Sequence, residues 1–267
     1  MTKPNQLFHY RPFNNERLRN TILHGELYFS NPGSFNDPWD CRPWWNTKVL
    51  DDPVAFNRHL DWFNSEYRKN FPDTPEHLLL QRSEHIKSNP DILKNMMSEF
   101  SVDMASAIDG RYRVFCLSSK SDNELMWAHY SEKHQGICLE FGVDNVLFCN
   151  AEKVSYLEEY PVYDLTLDED SEHIKPLISK SSAWEYEDEY RLVAFQDENF
   201  VNNDLLVATD NFVELPDNAL TAIIIGCMAP SSTLDAVKNI VEQSRYPIKI
   251  KQAVRAPDHY KLSIVCT

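Results

Sequence analysis

Apolar positions recur along this chain with two periods, and the switches between them mark its elements. Leu7-Phe8-His9-Tyr10-Arg11-Pro12-Phe13 reads as a short strand. An amphipathic helix follows, with Leu18, Ile22 and Leu23 on one face, a cap at Asn14 or Asn15 and a stop at Gly25. Residues 26–30 read as a second strand, ended by Asn31-Pro32-Gly33. Residues 34–40 form a loop rich in polar and aromatic side chains, the kind of segment that often carries function. From about 53 to 107 the spacing becomes three and four, which predicts an inserted layer of two to four helices.

Strands are expected at 113–118, 136–141 and 153–157, a short helix at 123–131, and a further helix at 172–182 despite Pro176. The last portion is a strand–helix–strand unit. Residues 221–226 are a buried strand, Ser231 or Ser232 caps a helix running to about 244, and 248–254 return, with a final strand at 260–265. There is no repeat, low-complexity tract or linker. The reading is a single α+β domain over 1–267, with a helical insertion at about 53–107.

One stretch stands apart. Trp184-Glu185-Tyr186-Glu187-Asp188-Glu189-Tyr190-Arg191 precedes the apolar run Leu192-Val193-Ala194-Phe195. With a period of two it becomes a strand from about Tyr186, with Glu185, Glu187, Glu189 and Arg191 on one face. Like charges that close raise some carboxylate pKa values, which is an expensive arrangement. A solvated acidic strand face, or a helix with an ordinary Glu187–Arg191 pair, are the plain alternatives.

Composition narrows the function classes. Hydrophobic residues at 42% and charged residues at 25% are those of an ordinary globular chain. Forty-one acidic residues against 26 basic ones give a net charge of −15, which disfavours a general nucleic-acid coat. Six scattered cysteines without a Cys-x-x-Cys pair read as reduced thiols. The N-terminus lacks the apolar core of a signal peptide, and no apolar run approaches membrane-spanning length. The expectation is a soluble, cytoplasmic protein with no membrane partner.

The nine histidines include no pair at metal-ligand spacing, and no metal site is assigned. A carboxylate-held magnesium using Asp37, Asp40 and the 185–189 cluster stays open as an alternative. Residues 226–233 read as a capped turn rather than a phosphate cradle. His9 and Arg11 share one strand face, and Tyr28 and Ser30 share another. Arg can hold a diphosphate, His a ribose, and Tyr can stack on a flat ring.

The order Phe8-His9-Tyr10-Arg11, Tyr28-Phe29-Ser30, Phe35-Asn36-Asp37-Pro38 and Phe115-Cys116-Leu117-Ser118 resembles a bacterial family known as a domain of unknown function. So do Met126-Trp127-x-His129-Tyr130, residues 136–141 and the segment from Lys180 through Trp184 to Arg191, so that the likeness spans roughly 7–195. A more distant resemblance is to the ADP-ribosyltransferases, which carry a first-strand His or Arg, a second-strand Tyr or Ser and a late Glu-x-Glu strand. It implies a mixed, mostly antiparallel split sheet around a cleft that holds NAD. It also implies an enzyme that transfers ADP-ribose to a macromolecular acceptor, protein or nucleic acid, as a bacterial toxin or anti-phage defence effector. An antitoxin or chaperone would be a further partner.

Under that resemblance Glu189 is the ribose-binding catalytic carboxylate and Glu187 the acceptor-side one. His9 holds the adenosine-side ribose, Arg11 the diphosphate, and Tyr28 the nicotinamide. Ser30, Asn36, Asp37 and His129 complete the cofactor-binding set. The departures are the inserted helices, two candidate anchors on the first strand, and three competing glutamates. The reaction makes an oxocarbenium-like centre, which a carboxylate stabilises. A metal-dependent nuclease and a non-catalytic nucleotide-sensing module are the alternatives.

Overall fold

A computed structural model describes residues 3–161, 166, 174–196 and 206–267. Its centre is an eight-stranded sheet. Six of its strands are β1 (Gln6–Arg11), β3 (Tyr112–Ser118), β4 (Ile137–Gly142), β5 (Glu152–Lys153), β8 (Glu189–Phe195) and β10 (Leu220–Ile225). The other two are β11 (Lys249–Arg255) and β12 (Leu262–Cys266), and the order is β12-β11-β10-β4-β1-β3-β8-β5. All its ladders are antiparallel except β10–β11, whose ends are joined through helix α6 (Ser231–Val241). Two short pairs lie outside it: β2 (Glu26–Tyr28) with β9 (Phe212–Glu214), and β6 (Ser155–Leu157) with β7 (Ser179–Ser181). The fold is therefore α+β with a mixed, mostly antiparallel sheet.

The central ladder is thin at one place. β1 and β3 are partnered only at Phe8↔Ser118, whereas β1 and β4 pair over six positions. Further along β3, Val114 exchanges both backbone hydrogen bonds with Ser30 (2.8 and 2.9 Å), which follows β2. The His9 ring takes part of the lost pairing, with Nδ1 at 2.8 Å from the Cys116 carbonyl.

Because neighbours across a sheet share a face, the register fixes two sides. On one side Leu7, Phe115, Leu117, Ile137, Leu139, Phe141, Leu192 and Ile223 bury against α6 and helix α1 (Asn15–Arg19). Asn14 caps α1 through its side chain. The helix runs on to His24, and Gly25, at φ 70, ends it, as a left-handed residue without a Cβ can. The other side carries Phe8, Tyr10, Cys138 and Ile224, covered by α5 (Glu124–Tyr130) through Met126 and Trp127. Trp127 is fully buried, and its indole N–H donates to the Ser121 carbonyl at 2.9 Å. Such a side chain contributes about 3–5 kcal/mol against truncation to Ala.

The helical insertion consists of α2 (Pro53–Asn70), α3 (Glu76–Ser88) and α4 (Asp91–Arg111). It has its own core of Trp45, Leu50, Phe56, Leu60, Ile86, Leu93 and Met97. Asp52 caps α2 at Ala55, and Pro53 supplies the first turn, where its missing N–H costs nothing.

Three expectations are corrected. The helix at 172–182 is absent from its described part. Residues Lys175–Leu177 form a single 3-10 turn holding Pro176, and the following residues pair in parallel with β6 as β7; residues 172 and 173 lie outside the described ones. The acidic strand begins at Glu189 rather than about Tyr186, because Ser182–Glu187 is a 3-10 helix closed by Asp188 at φ 45. Finally, Pro230 rather than Ser231 or Ser232 is the N-cap of α6, and it offers no side-chain bond. The turn there is held by close packing instead. A Cβ on Gly226 would lie 2.1 Å from the His134 carbonyl oxygen, which accepts from the Met228 amide.

Candidate functional site

On the α5 side of the sheet, β3 and β8 present Cys116, Ser118, Glu189 and Arg191 on one face. The 3-10 helix before β8 returns Glu187 to that face. Asp188 in the left-handed region makes the reversal, and three bonds staple it. Ser118 Oγ donates to the Glu187 carbonyl (2.6 Å), Asn123 Nδ2 to the Tyr186 carbonyl (2.6 Å), and the Glu189 amide to Tyr156 Oη (2.8 Å). Glu187 and Glu189 thus meet, although only Glu189 is in a strand.

They meet at Lys180, brought in by β7. Its Nζ lies 2.5 Å from Glu187 Oε2, 3.1 Å from Glu189 Oε2 and 3.6 Å from Asp40 Oδ2. Arg191 completes the cluster with every N–H engaged. Nε donates to Glu189 Oε1 (2.7 Å) and Nη2 to Glu189 Oε2 (3.0 Å) and Asp40 Oδ2 (2.6 Å). Nη1 donates to Asp40 Oδ1 (2.8 Å) and the Leu177 carbonyl (2.8 Å). Three carboxylates therefore surround two cations, all five side chains being buried.

The two glutamates differ in what holds them. Burial opposes charge on Glu189, but the Arg191 guanidinium and Lys180 ammonium overcome it and hold the carboxyl down at about 2. At Glu187 burial wins, and despite Lys180 its pKa lies above the ordinary carboxylate value. Its second oxygen accepts from Tyr130 Oη at 2.6 Å, and Asn36 reaches the same hydroxyl. Burial and then the Glu187 charge raise the Tyr130 pKa, so the phenol stays protonated and donates. Lys180 is kept charged by the carboxylates against the effect of burial.

Glu187 is as buried as its neighbours, and its contact to Tyr130 links it to the groups outside the cluster. Around it stand exposed Asn36 and His129, and half-buried Tyr130, Tyr186 and Trp184. The His129 ring lies 6.3 Å from both Tyr130 and Tyr186, and Lys180 Nζ lies 5.2 Å from the Trp184 ring. A cavity of about 270 Å³ opens on the Asp40 and Lys180 side, between Trp39, Arg42 and Tyr160. Asp37 is buried beside it, fixing the loop by accepting from the Trp39 amide at 3.0 Å.

The sequence-derived site residues therefore fall into two groups. Glu187, Glu189, Asn36, Asp37 and His129 lie together. His9, Arg11 and Tyr28 do not join them. His9 stacks on Phe115, across the sheet from Glu189, and burial lowers its pKa to about 4. Arg11 is opposite Ile137 on that same far side. Tyr28, 41% exposed, packs on Phe212 under Arg17. Ser30 serves the backbone bridge to Val114. Sequence reasoning missed Lys180 and Arg191 as a paired counter-charge, and Asp40 except as a metal ligand. The available signal was the excess of carboxylates over cations in 185–191, which a buried strand has to balance from elsewhere.

A mixed, mostly antiparallel sheet with a buried cluster of carboxylates, Lys180 and Arg191 on one face defines an α+β protein with a polar candidate site. Residues 126–192 match the model of a family described as "Protein of unknown function (DUF2971)". That segment is similar to a domain-of-unknown-function family and runs from α5 into β8, enclosing Tyr130, Lys180, Glu187, Glu189 and Arg191. No curated protein and no solved structure matches the chain. Among the described residues, no helix is long and apolar enough to cross a membrane.

Proposed function

We propose that the protein is an ADP-ribosyltransferase-like enzyme that uses NAD as substrate, with Glu187 as the carboxylate facing the ribose. The observation that supports this reading is the asymmetry of the glutamates. Glu189 is tied to the Arg191 guanidinium and Lys180, whereas Glu187, equally buried, is held by Lys180 and the neutral phenol of Tyr130. In the proposed step the bond from ribose C1′ to the nicotinamide nitrogen breaks, and its electron pair leaves with nicotinamide. The developing positive charge lies against the Glu187 carboxylate, in a buried setting where such stabilisation is strong. An acceptor nucleophile then bonds to C1′ and loses its proton to water. Glu189, Asp40 and Arg191 form the rigid base that holds Lys180 in place, which exchanges the roles first given to the two glutamates.

A metal-dependent nuclease is favoured by one observation, the lysine beside two carboxylates. Against it, Arg191 Nη2 already fills the interval between Asp40 and Glu189, and among the described residues no three candidate ligands converge to hold a metal ion. The test is nicotinamide release from NAD, with and without magnesium, run beside nucleic-acid cleavage. Metal-free release lost in Glu187→Gln upholds the proposal, strictly metal-dependent cleavage replaces it with the nuclease, and silence in both assays sinks it.

A further inference from the structure

On the sheet face away from the carboxylate cluster, Arg11 breaks the rule that a buried charge is paired. Its Nε and Nη2 atoms are closed off from solvent and have no hydrogen-bond partner. Among the described residues, no carboxylate pairs with it. The charged group that acts on it is another cation, Arg17, and the neighbouring His9 is neutral at physiological pH. Burial, then Arg17, lowers the guanidinium to about 10, which still leaves it charged. Burying an unpaired cation is unfavourable, so an apolar side chain of similar length would serve the fold better.

We propose that Arg11 and Arg17 form a binding site for a small oxyanion ligand, bearing a phosphate or carboxylate group, separate from the Glu187 cluster. Three features converge. Arg11 supplies unspent donors in the planar fork that suits oxyanions. Arg17, exposed on α1, adds a second positive charge that acts on Arg11. Tyr28, beneath Arg17 with 5.4 Å from guanidinium to ring centroid, offers a partly exposed aromatic face to the rest of the ligand. Arg11 as a residue is half-buried, so the ligand approaches along its exposed part, and Nε and Nη2 meet it once the guanidinium turns out of its packing. The site stands apart from the transferase reading, because Arg11 and the cluster are on opposite faces of the sheet.

The test is titration of the full chain with sodium pyrophosphate and, separately, with succinate, following melting temperature and heat of binding. The wild type should show a saturable rise in melting temperature with at least one of them. A stronger response to pyrophosphate assigns a phosphorylated ligand, and a stronger one to succinate a carboxylate. Arg11→Met should weaken that binding roughly tenfold or more, as expected for loss of charge-assisted bonds. Without anion it should melt at or above the wild type. No response to either anion in the wild type, or an unchanged response in Arg11→Met, overturns the proposal. Should Arg11→Met not fold, the surface variant Arg17→Glu decides the matter: a lost response supports the site and a retained one overturns it. Glu187→Gln should bind the anion like wild type; loss there would place the anion in the cluster and overturn the separate site.

Discussion

Arg191 and Asp40 are 151 positions apart in the chain and meet through two hydrogen bonds, at 2.8 and 2.6 Å, with both side chains buried. The contact ties the polar aromatic loop after β2 to the strand that carries Glu189, and it sets where Lys180 can sit. Asp40→Ala should leave a buried guanidinium short of half its counter-charge, at a cost of about 3–5 kcal/mol. Urea unfolding measures this. A cost under about 1 kcal/mol would mean that the pair does not organise the loop.

The glutamates should separate by phenotype. Glu187→Gln keeps the shape but can accept from only one of Tyr130 and Lys180; because Lys180 retains Glu189 and Asp40, its melting temperature should fall less than that of Glu189→Gln. In the proposed reaction, turnover of NAD should fall by about two to three orders of magnitude, the scale of one lost electrostatic contact to the transition state, about 3–4 kcal/mol. Glu189→Gln should lower the melting temperature more, because Arg191 and Lys180 lose their shared anion. Equal melting temperatures for the two variants would contradict this division.

His9 predicts a pH dependence of stability. Its folded pKa of about 4 lies below the ordinary value of 6.5, so the unfolded chain binds more protons between those limits. Stability from this residue is complete above about pH 6.5 and is lost as pH falls towards 4, by up to about 3 kcal/mol. His9→Phe retains stacking on Phe115 and removes the titration. Chemical denaturation at a series of pH values from neutral down to about 4 should give a flatter profile for the variant. Parallel profiles would show that His9 is not held neutral by the fold.

Gly226→Ala should destabilise by about 1–3 kcal/mol or more, since the new methyl group meets backbone that cannot swing aside. Thermal melting of this variant beside Gly110→Ala, where a Cβ meets nothing within 4 Å, controls for the substitution itself. Equal effects would disprove the steric account.

Much of the fold was legible in the sequence because it depends on local period. The alternation in β1, β3 and β4, the capped α1 with Gly25, the helical insertion and the β10–α6–β11 unit need only neighbouring residues to be recognised. The stretch before β8 was not legible in this way. A period of two in 184–191 fits a strand, yet the bonds that decide between strand and 3-10 turn come from Ser118, Asn123 and Tyr156, all distant in sequence.

For the candidate site, the sequence by itself put forward Glu187, Glu189, Asn36, Asp37 and His129, and what it determined is their order and spacing along the chain. Only tertiary structure decided which carboxylate the Arg191 guanidinium locks and which Tyr130 and Lys180 hold instead. That choice depends on Arg191 spending all its donors on Asp40, Glu189 and the Leu177 carbonyl, and on Lys180 arriving from β7. The same holds for His9 and Arg11. Alternation shows that they share a face, but the face is named only by the register of β1 against β4 and β3, where one residue of slip would send them to the opposite side.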